Sequence, residues 1–192
     1  MSTGDLPMML FAHAADWEIW LAAHQTSSPG VWLQLAKKHG PISSASYAEA
    51  LDVALCYGWI DSQKRAYDEA SWLQKFSRRG PKSIWSQINR DHVARLTESG
   101  RMQPSGMAAV ASAKQDGRWD AAYAGQSSAT IPDDLQAALA ANPAASAFFA
   151  TLNSANRYAI IFRVTTVKKP ETRARNIQKF VAMLERGELI HQ

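Results

Sequence analysis

The sequence predicts an α+β fold, with a small, mainly antiparallel sheet and helices in the N-terminal half packed against a C-terminal helical lobe. Three observations predict it. Strand-like alternation appears at 31–36 and again across 59–77. Cap and stop signals bracket helix-periodic runs over 83–187. A chain of 192 residues, 46% of them hydrophobic, has enough apolar side chain for one substantial core or two small lobes.

In chain order, Trp17, Trp20, Leu21 and His24 fall at helical spacing within 14–24. Val31, Leu33 and Leu35 alternate with Trp32, Gln34 and Ala36 as a strand whose two faces are both fairly apolar. Ser46 and Glu49 form a capping box, and Gly58 suits the left-handed turn that ends the helix it opens. Two strands follow at 59–67 and 71–77, joined at Asp68-Glu69. Period-two alternation puts Trp59, Asp61 and Gln63 on one face of the first, with Ile60, Ser62 and Lys64 on the other.

The rest reads as helical. Ser83 is placed to cap a helix over 84–99, with Trp85, Ile88, His92 and Leu96 on one stripe and Gly100 after its end. Pro104 opens another, with Met107, Val110 and Ala111 inward and Gly117 as its stop. Helices beginning at Pro132, Pro143 and Ser154, and one over 170–186 ended by Gly187, complete the chain. The expected organisation is an α+β lobe at 1–117, a small, polar linker at 118–131 and a helical lobe at 132–192.

The formal charge of +4 is unevenly spread: residues 61–101 carry nine Lys and Arg against five acids, and 151–192 carry eight against three. Two basic blocks thus alternate with two acidic ones, a pattern that suits anionic partners if the blocks meet and ordinary solvated faces if they do not. No apolar run reaches the roughly 20 residues of a membrane helix, so no membrane insertion is expected. The start, MSTGDLPMMLFAHAADWEIW, has acids and no basic leader, and one cysteine rules out an internal disulfide; both point to the cytoplasm.

The usual catalytic signatures are missing: no Gly-x-Gly-x-x-Gly, phosphate loop, Gly-x-Ser-x-Gly, Ser-x-x-Lys or His-Glu-x-x-His occurs. The five histidines (13, 24, 39, 92 and 191) lack metal-ligand spacing, so no metal and no cofactor are expected. Cys56, between Leu55 and Tyr57, reads as an apolar filler of its helix.

The densest chemistry lies at 55–90, where Trp59, Trp72 and Trp85 are interleaved with Asp61 and a run of Lys and Arg. Aromatic faces beside cations suit a ligand that is flat, anionic or both. The candidate binding residues are Trp59, Asp61, Gln63, Arg78, Arg79, Trp85, Asn89 and Arg90. Tryptophans would stack the ligand, arginines would hold a carboxylate or phosphate, and Asp61 and Gln63 would orient it. The structural alternative makes Trp59 and Trp85 core residues and Asp61 the partner of an arginine. On the binding reading, Arg79→Ala loses the ligand and keeps its stability.

Tyr57-Gly58-Trp59-Ile60-Asp61 and the run Phe76–Arg90 resemble the YdeI/OmpD-associated family, as do Gly100-Arg101-Met102, Asp116-Gly117-Arg118-Trp119-Asp120 and Lys168-Lys169-Pro170-Glu171-Thr172-Arg173. These blocks spread the resemblance over about residues 10–187. Tyr57 stands where the family commonly has Phe, and Ser77 where it often has Thr-Pro. The resemblance implies a bacteriocin-protection and stress-tolerance role and brings no catalytic residues with it.

Three function classes follow. The first is a cytoplasmic protective protein that binds a small anionic or aromatic ligand, or a peptide. The second is a nucleic-acid or regulatory binder using the two basic blocks, with strongly salt-dependent affinity. The third is an enzyme with Asp61 as acid or base.

Overall fold

The capping box forms as its sequence dictates: the Ser46 hydroxyl accepts from the Glu49 amide at 3.3 Å, and Glu49 accepts from the Ser46 amide at 2.9 Å. This computed structural model describes residues 6–38 and 40–191; His39, one of the five histidines weighed as ligands, and the first five residues of the stretch read for a leader lie outside them. The fold is α+β, with a small mixed sheet and helices in the N-terminal half and further helices in the C-terminal half. The chain divides into two compact units, Met1–Ala122 and Tyr123–Gln192.

In the first unit, strands β1 (Met8–Met9), β2 (Val31–Ala36), β3 (Trp59–Ala66) and β4 (Ser71–Arg78) form one sheet in the order β1-β2-β4-β3. β1, too short to show a period, pairs parallel with β2, and the other pairings are antiparallel. Asp68 shapes the β3–β4 turn: its Oδ1 accepts from the Ala70 and Ser71 amides at 2.9 and 2.6 Å. Helix α1 (Ala14–His24) buries Trp17 and Leu21. Helix α2 (Tyr47–Cys56) buries six residues because α1, β3, α3 (Gln87–Glu98) and α4 (Pro104–Gln115) all pack around it.

Two glycines permit these close approaches. Gly58, just past α2, has φ +74°, a conformation that a side chain disfavours. Gly106 meets α2 so closely that a Cβ would lie 2.1 Å from the Cys56 carbonyl oxygen. That contact fixes the inward face of α4 as Gly106, Val110 and Ala113. Met107, expected to point inward, is 43% exposed.

Other boundaries also move. Ser86, not Ser83, caps α3, accepting from the Asn89 amide at 3.1 Å; Ser83 closes the preceding turn by accepting from Gly80 at 2.9 Å. Trp85 therefore precedes the helix, and Val93 and Leu96 are its buried residues, while Ile88 is 49% exposed. Residues 118–122, expected to begin the linker, belong to the first unit: Arg118 is buried and Trp119 packs on the core.

The second unit contains α5 (Asp133–Ala140), α6 (Pro143–Thr151), α7 (Ser154–Thr165) and α8 (Pro170–Glu185) around Leu135, Phe149, Ile160, Val164, Phe180 and Leu184. Asn153, rather than Ser154, caps α7, accepting from the Asn156 amide at 2.9 Å. Asn156, 2% exposed, fixes the C-terminal end: its Oδ1 accepts from the Ile190 and His191 amides and its Nδ2 donates to the His191 carbonyl. An ion pair joins α5 to α8, with Arg173 Nη2 2.8 Å from Asp134 Oδ1.

Candidate functional site

The strand that carries Trp59 and Asp61 does not keep its period. Asp61 pairs with Phe76 but Lys64 pairs with Gln74, so β3 spends three steps where β4 spends two. This bulge moves Lys64 onto the face of Asp61 and takes Gln63 off it. Gln63 is exposed, and its carbonyl accepts from the Gln74 side chain at 3.1 Å. The expected face of Trp59, Asp61 and Gln63 is therefore corrected to Trp59, Asp61 and Lys64. The Lys64 ammonium lies 4.3 Å from the centre of the Trp72 ring.

Trp59 is fully buried in an aromatic nest. It meets Trp17 and Trp20 edge-to-face at 6.3 Å each, and its Nε1 donates to the Gln25 carbonyl at 3.3 Å. Trp17, which also touches Phe76 at 5.8 Å, donates its Nε1 to Ala50 on α2. Asp61 is half-buried, and its partner is a tyrosine rather than an arginine: the Tyr47 hydroxyl donates to Oδ2 at 2.8 Å. Arg78 is exposed and stands opposite Trp59 in the ladder.

The remaining candidates do gather, around a second pair of indoles. Trp85 is 1% exposed and meets Trp119 edge-to-face at 4.8 Å. The Arg79 guanidinium sits 3.5 Å from the centre of the Trp85 ring and donates to the Ile84 carbonyl at 3.0 Å. Arg90 donates to the Trp119 carbonyl at 3.1 Å and lies 5.2 Å from that ring's centre, with the Lys114 ammonium 5.4 Å from it. Asn89, half-buried in the first turn of α3, is anchored through its backbone by Ser86. The Trp85 Nε1 is buried with no hydrogen-bond partner among the described residues, which costs roughly 1–3 kcal/mol.

Arg118 completes this cluster and was not singled out as a site residue. It is 8% exposed, pairs with Asp116 at 2.7 Å, and donates to the Ser83 carbonyl and the Ser112 hydroxyl at 3.1 and 3.2 Å. The sequence signal was present in Gly117-Arg118-Trp119-Asp120. A buried arginine held by a carboxylate, a carbonyl and a hydroxyl ties the turn after α4 to the segment before α3.

A polar group not foreseen from sequence joins α2 to α3. His92 Nδ1 donates to Asp52 Oδ1 at 2.7 Å, and Arg95 Nη2 reaches both Asp52 oxygens at 2.7 Å. Burial works to raise the Asp52 carboxyl, but the Arg95 and His92 hydrogen bonds outweigh it and hold the group below the usual carboxylate range. Nearby Cys56 is buried and its thiol is pushed up to about 11, chiefly by burial, so at neutral pH it is not a thiolate nucleophile. Among the described residues no group of three His, Cys, Asp or Glu is placed to hold a metal ion, and no helix is long and apolar enough to cross a membrane.

Comparison with known families assigns the two halves separately. Residues 9–109 match the family described as Domain of unknown function (DUF8412), which is more than half of the chain. The chain belongs to this DUF8412 family. Residues 128–187 match the family described as Bacteriocin-protection, YdeI or OmpD-Associated. The resemblance read from the sequence thus holds in the C-terminal part of this DUF8412 chain, where Lys168–Arg173 lies inside the match. The blocks at 57–61, 76–90 and 100–102 fall within the DUF8412 match instead. No curated protein and no solved structure matches the chain.

Several arginines of the two basic blocks already have partners inside their own units. Arg95 is held by Asp52, Arg173 by Asp134 and Arg186 by Glu188, while Arg163 donates to the Ala159 carbonyl. Such engaged guanidiniums are less available to phosphates, which weakens the nucleic-acid reading.

Proposed function

We propose that this DUF8412 chain is a cytoplasmic protective binding protein of the bacteriocin-protection kind, and that its first unit captures a small anion bearing a flat ring at the rim made by Trp119, Arg90 and Lys114. The observation that carries this reading is the half-buried Trp119 indole, with two cations 5.2 and 5.4 Å from its centre. Neither Arg90 nor Lys114 is in an ion pair among the described residues. An aromatic anion supplies what that arrangement lacks, a carboxylate or phosphate for the cations and a ring for the indole. The YdeI/OmpD-associated match over 128–187 supports the protective role.

Binding is favoured over turnover because Cys56 is held as a thiol and Asp61 is taken up by the Tyr47 hydroxyl. Trp59, Asp61 and Gln63 leave the proposed site, and Arg79 and Trp85 become its supporting layer.

The test is a thermal-shift comparison of aromatic carboxylates and nucleotides with neutral amides of the same acids. A ligand that binds only the folded chain raises Tm by mass action. The reading requires the anions to raise Tm and the amides to fail. Equal shifts, or none from any anion, would rule it out.

A further inference from the structure

The second unit carries a half-open pocket of about 270 Å³ that the Trp119 rim does not involve. Its lining combines the apolar Ala129, Leu152 and Ile161 with Gln126, Ser154, Arg157 and Tyr158. At about 30 Å³ per water-sized group, it holds roughly nine such groups, the size of a short-chain acid or of one amino-acid residue.

Arg157 gives the cavity its chemistry. Nη2 donates to the Ala150 carbonyl at 3.1 Å and to the Leu152 carbonyl at 3.4 Å, and the guanidinium lies 5.5 Å from the Phe149 ring centre. These contacts hold the head group in place without neutralising it. Among the described residues Arg157 forms no ion pair, and its Nε is buried with no hydrogen-bond partner. A half-buried guanidinium fixed by carbonyls alone keeps a full charge that a carboxylate satisfies in geometry and sign. The Tyr158 hydroxyl donates to the Ala124 carbonyl at 3.1 Å, which anchors the segment that carries Gln126 and Ala129.

We propose that this cavity binds a carboxylate with a short aliphatic group, its oxygens on Arg157 with Ser154 and Gln126 beside them, and its apolar part against Leu152, Ile161 and Ala129. The same chemistry is offered by a free short-chain acid and by the C-terminal residue of a peptide. Apart from Gln126, this site lies in the part of the chain that matches the bacteriocin-protection family, and it stands or falls independently of the Trp119 rim.

The experiment is methyl NMR of the full chain, with Leu152 and Ile161 as reporters, titrated with hexanoate, hexanamide, N-acetyl-leucine and N-acetyl-leucinamide. The proposal expects hexanoate or N-acetyl-leucine to move both methyl groups saturably, at least tenfold more tightly than the matching amide. Preference for hexanoate identifies a free acid, and preference for N-acetyl-leucine identifies a peptide end. Ala129→Phe, which fills the cavity, should remove the effect while the chain stays folded. Reporters that do not move with either carboxylate, or that move equally with carboxylate and amide, overturn the proposal whether or not the variant folds. So does undiminished binding in folded Ala129→Phe.

Discussion

The Arg79 guanidinium lies 3.5 Å from the centre of the Trp85 indole, a side chain that is itself 1% exposed. The cation closest to a candidate tryptophan is therefore a packing partner. It covers the ring and ties the end of β4 to the residues before α3 through the Ile84 carbonyl.

From that contact, Arg79→Ala should destabilise the protein by about 2 kcal/mol, the combined scale of a desolvated cation–π contact and a charged hydrogen bond. Urea unfolding checks it. The binding reading of the sequence predicted unchanged stability for this substitution; a loss under about 0.5 kcal/mol would return Arg79 to the ligand site.

Gly106→Ala should cost about 3 kcal/mol, because its Cβ would meet the Cys56 carbonyl at 2.1 Å and two helices would have to part. Gly100→Ala is the comparison, since nothing lies within 4 Å of its Cβ position and only its positive φ opposes the change. If both variants unfold at the same urea concentration, the close approach of α2 and α4 is wrong.

Acid should destabilise the fold through Asp52 and Asp134. Both carboxyls lie below their ordinary value when folded, Asp52 because the Arg95 and His92 bonds outweigh burial and Asp134 chiefly through its Arg173 hydrogen bond. A depressed folded pKa means that the unfolded chain takes up the proton more readily. The stabilisation is thus present above the unfolded value near 4 and is lost as pH falls through the folded one. Tm measured from pH 6 to 2 should fall less steeply in Asp52→Asn than in wild type, and identical slopes would remove Asp52 from the account.

How far the sequence could be read depended on the range of each interaction. The α2 capping box, the β3–β4 hairpin and the stop at Gly58 are local, and all three appear as their residues dictate. Ser83 was read as the cap of α3, and the Gly80–Ser83 turn that leaves this role to Ser86 is not visible in the spacing. The bulge between Asp61 and Lys64 leaves no mark in the alternation of side chains, so Gln63 was placed on the wrong face. Asp52, His92 and Arg95 meet because two helices pack, which no spacing within either helix specifies. The aromatic–basic cluster was legible as composition, but its division into a Trp17–Trp59 nest and a Trp85–Trp119 pair was not.

Lys114 is exposed, so Lys114→Glu should change stability by no more than about 0.5 kcal/mol while reversing the charge beside Trp119. That separation of fold from binding makes it the variant of choice. The most direct measurement follows the indole N–H resonances of the full chain during titration with indole-3-acetate, in wild type and in Lys114→Glu. The account predicts a saturable shift of the Trp119 resonance and at least tenfold weaker binding in the variant, about 1.4 kcal/mol, at unchanged Tm. A Trp119 resonance that stays still, or equal affinity in the two proteins, would contradict it.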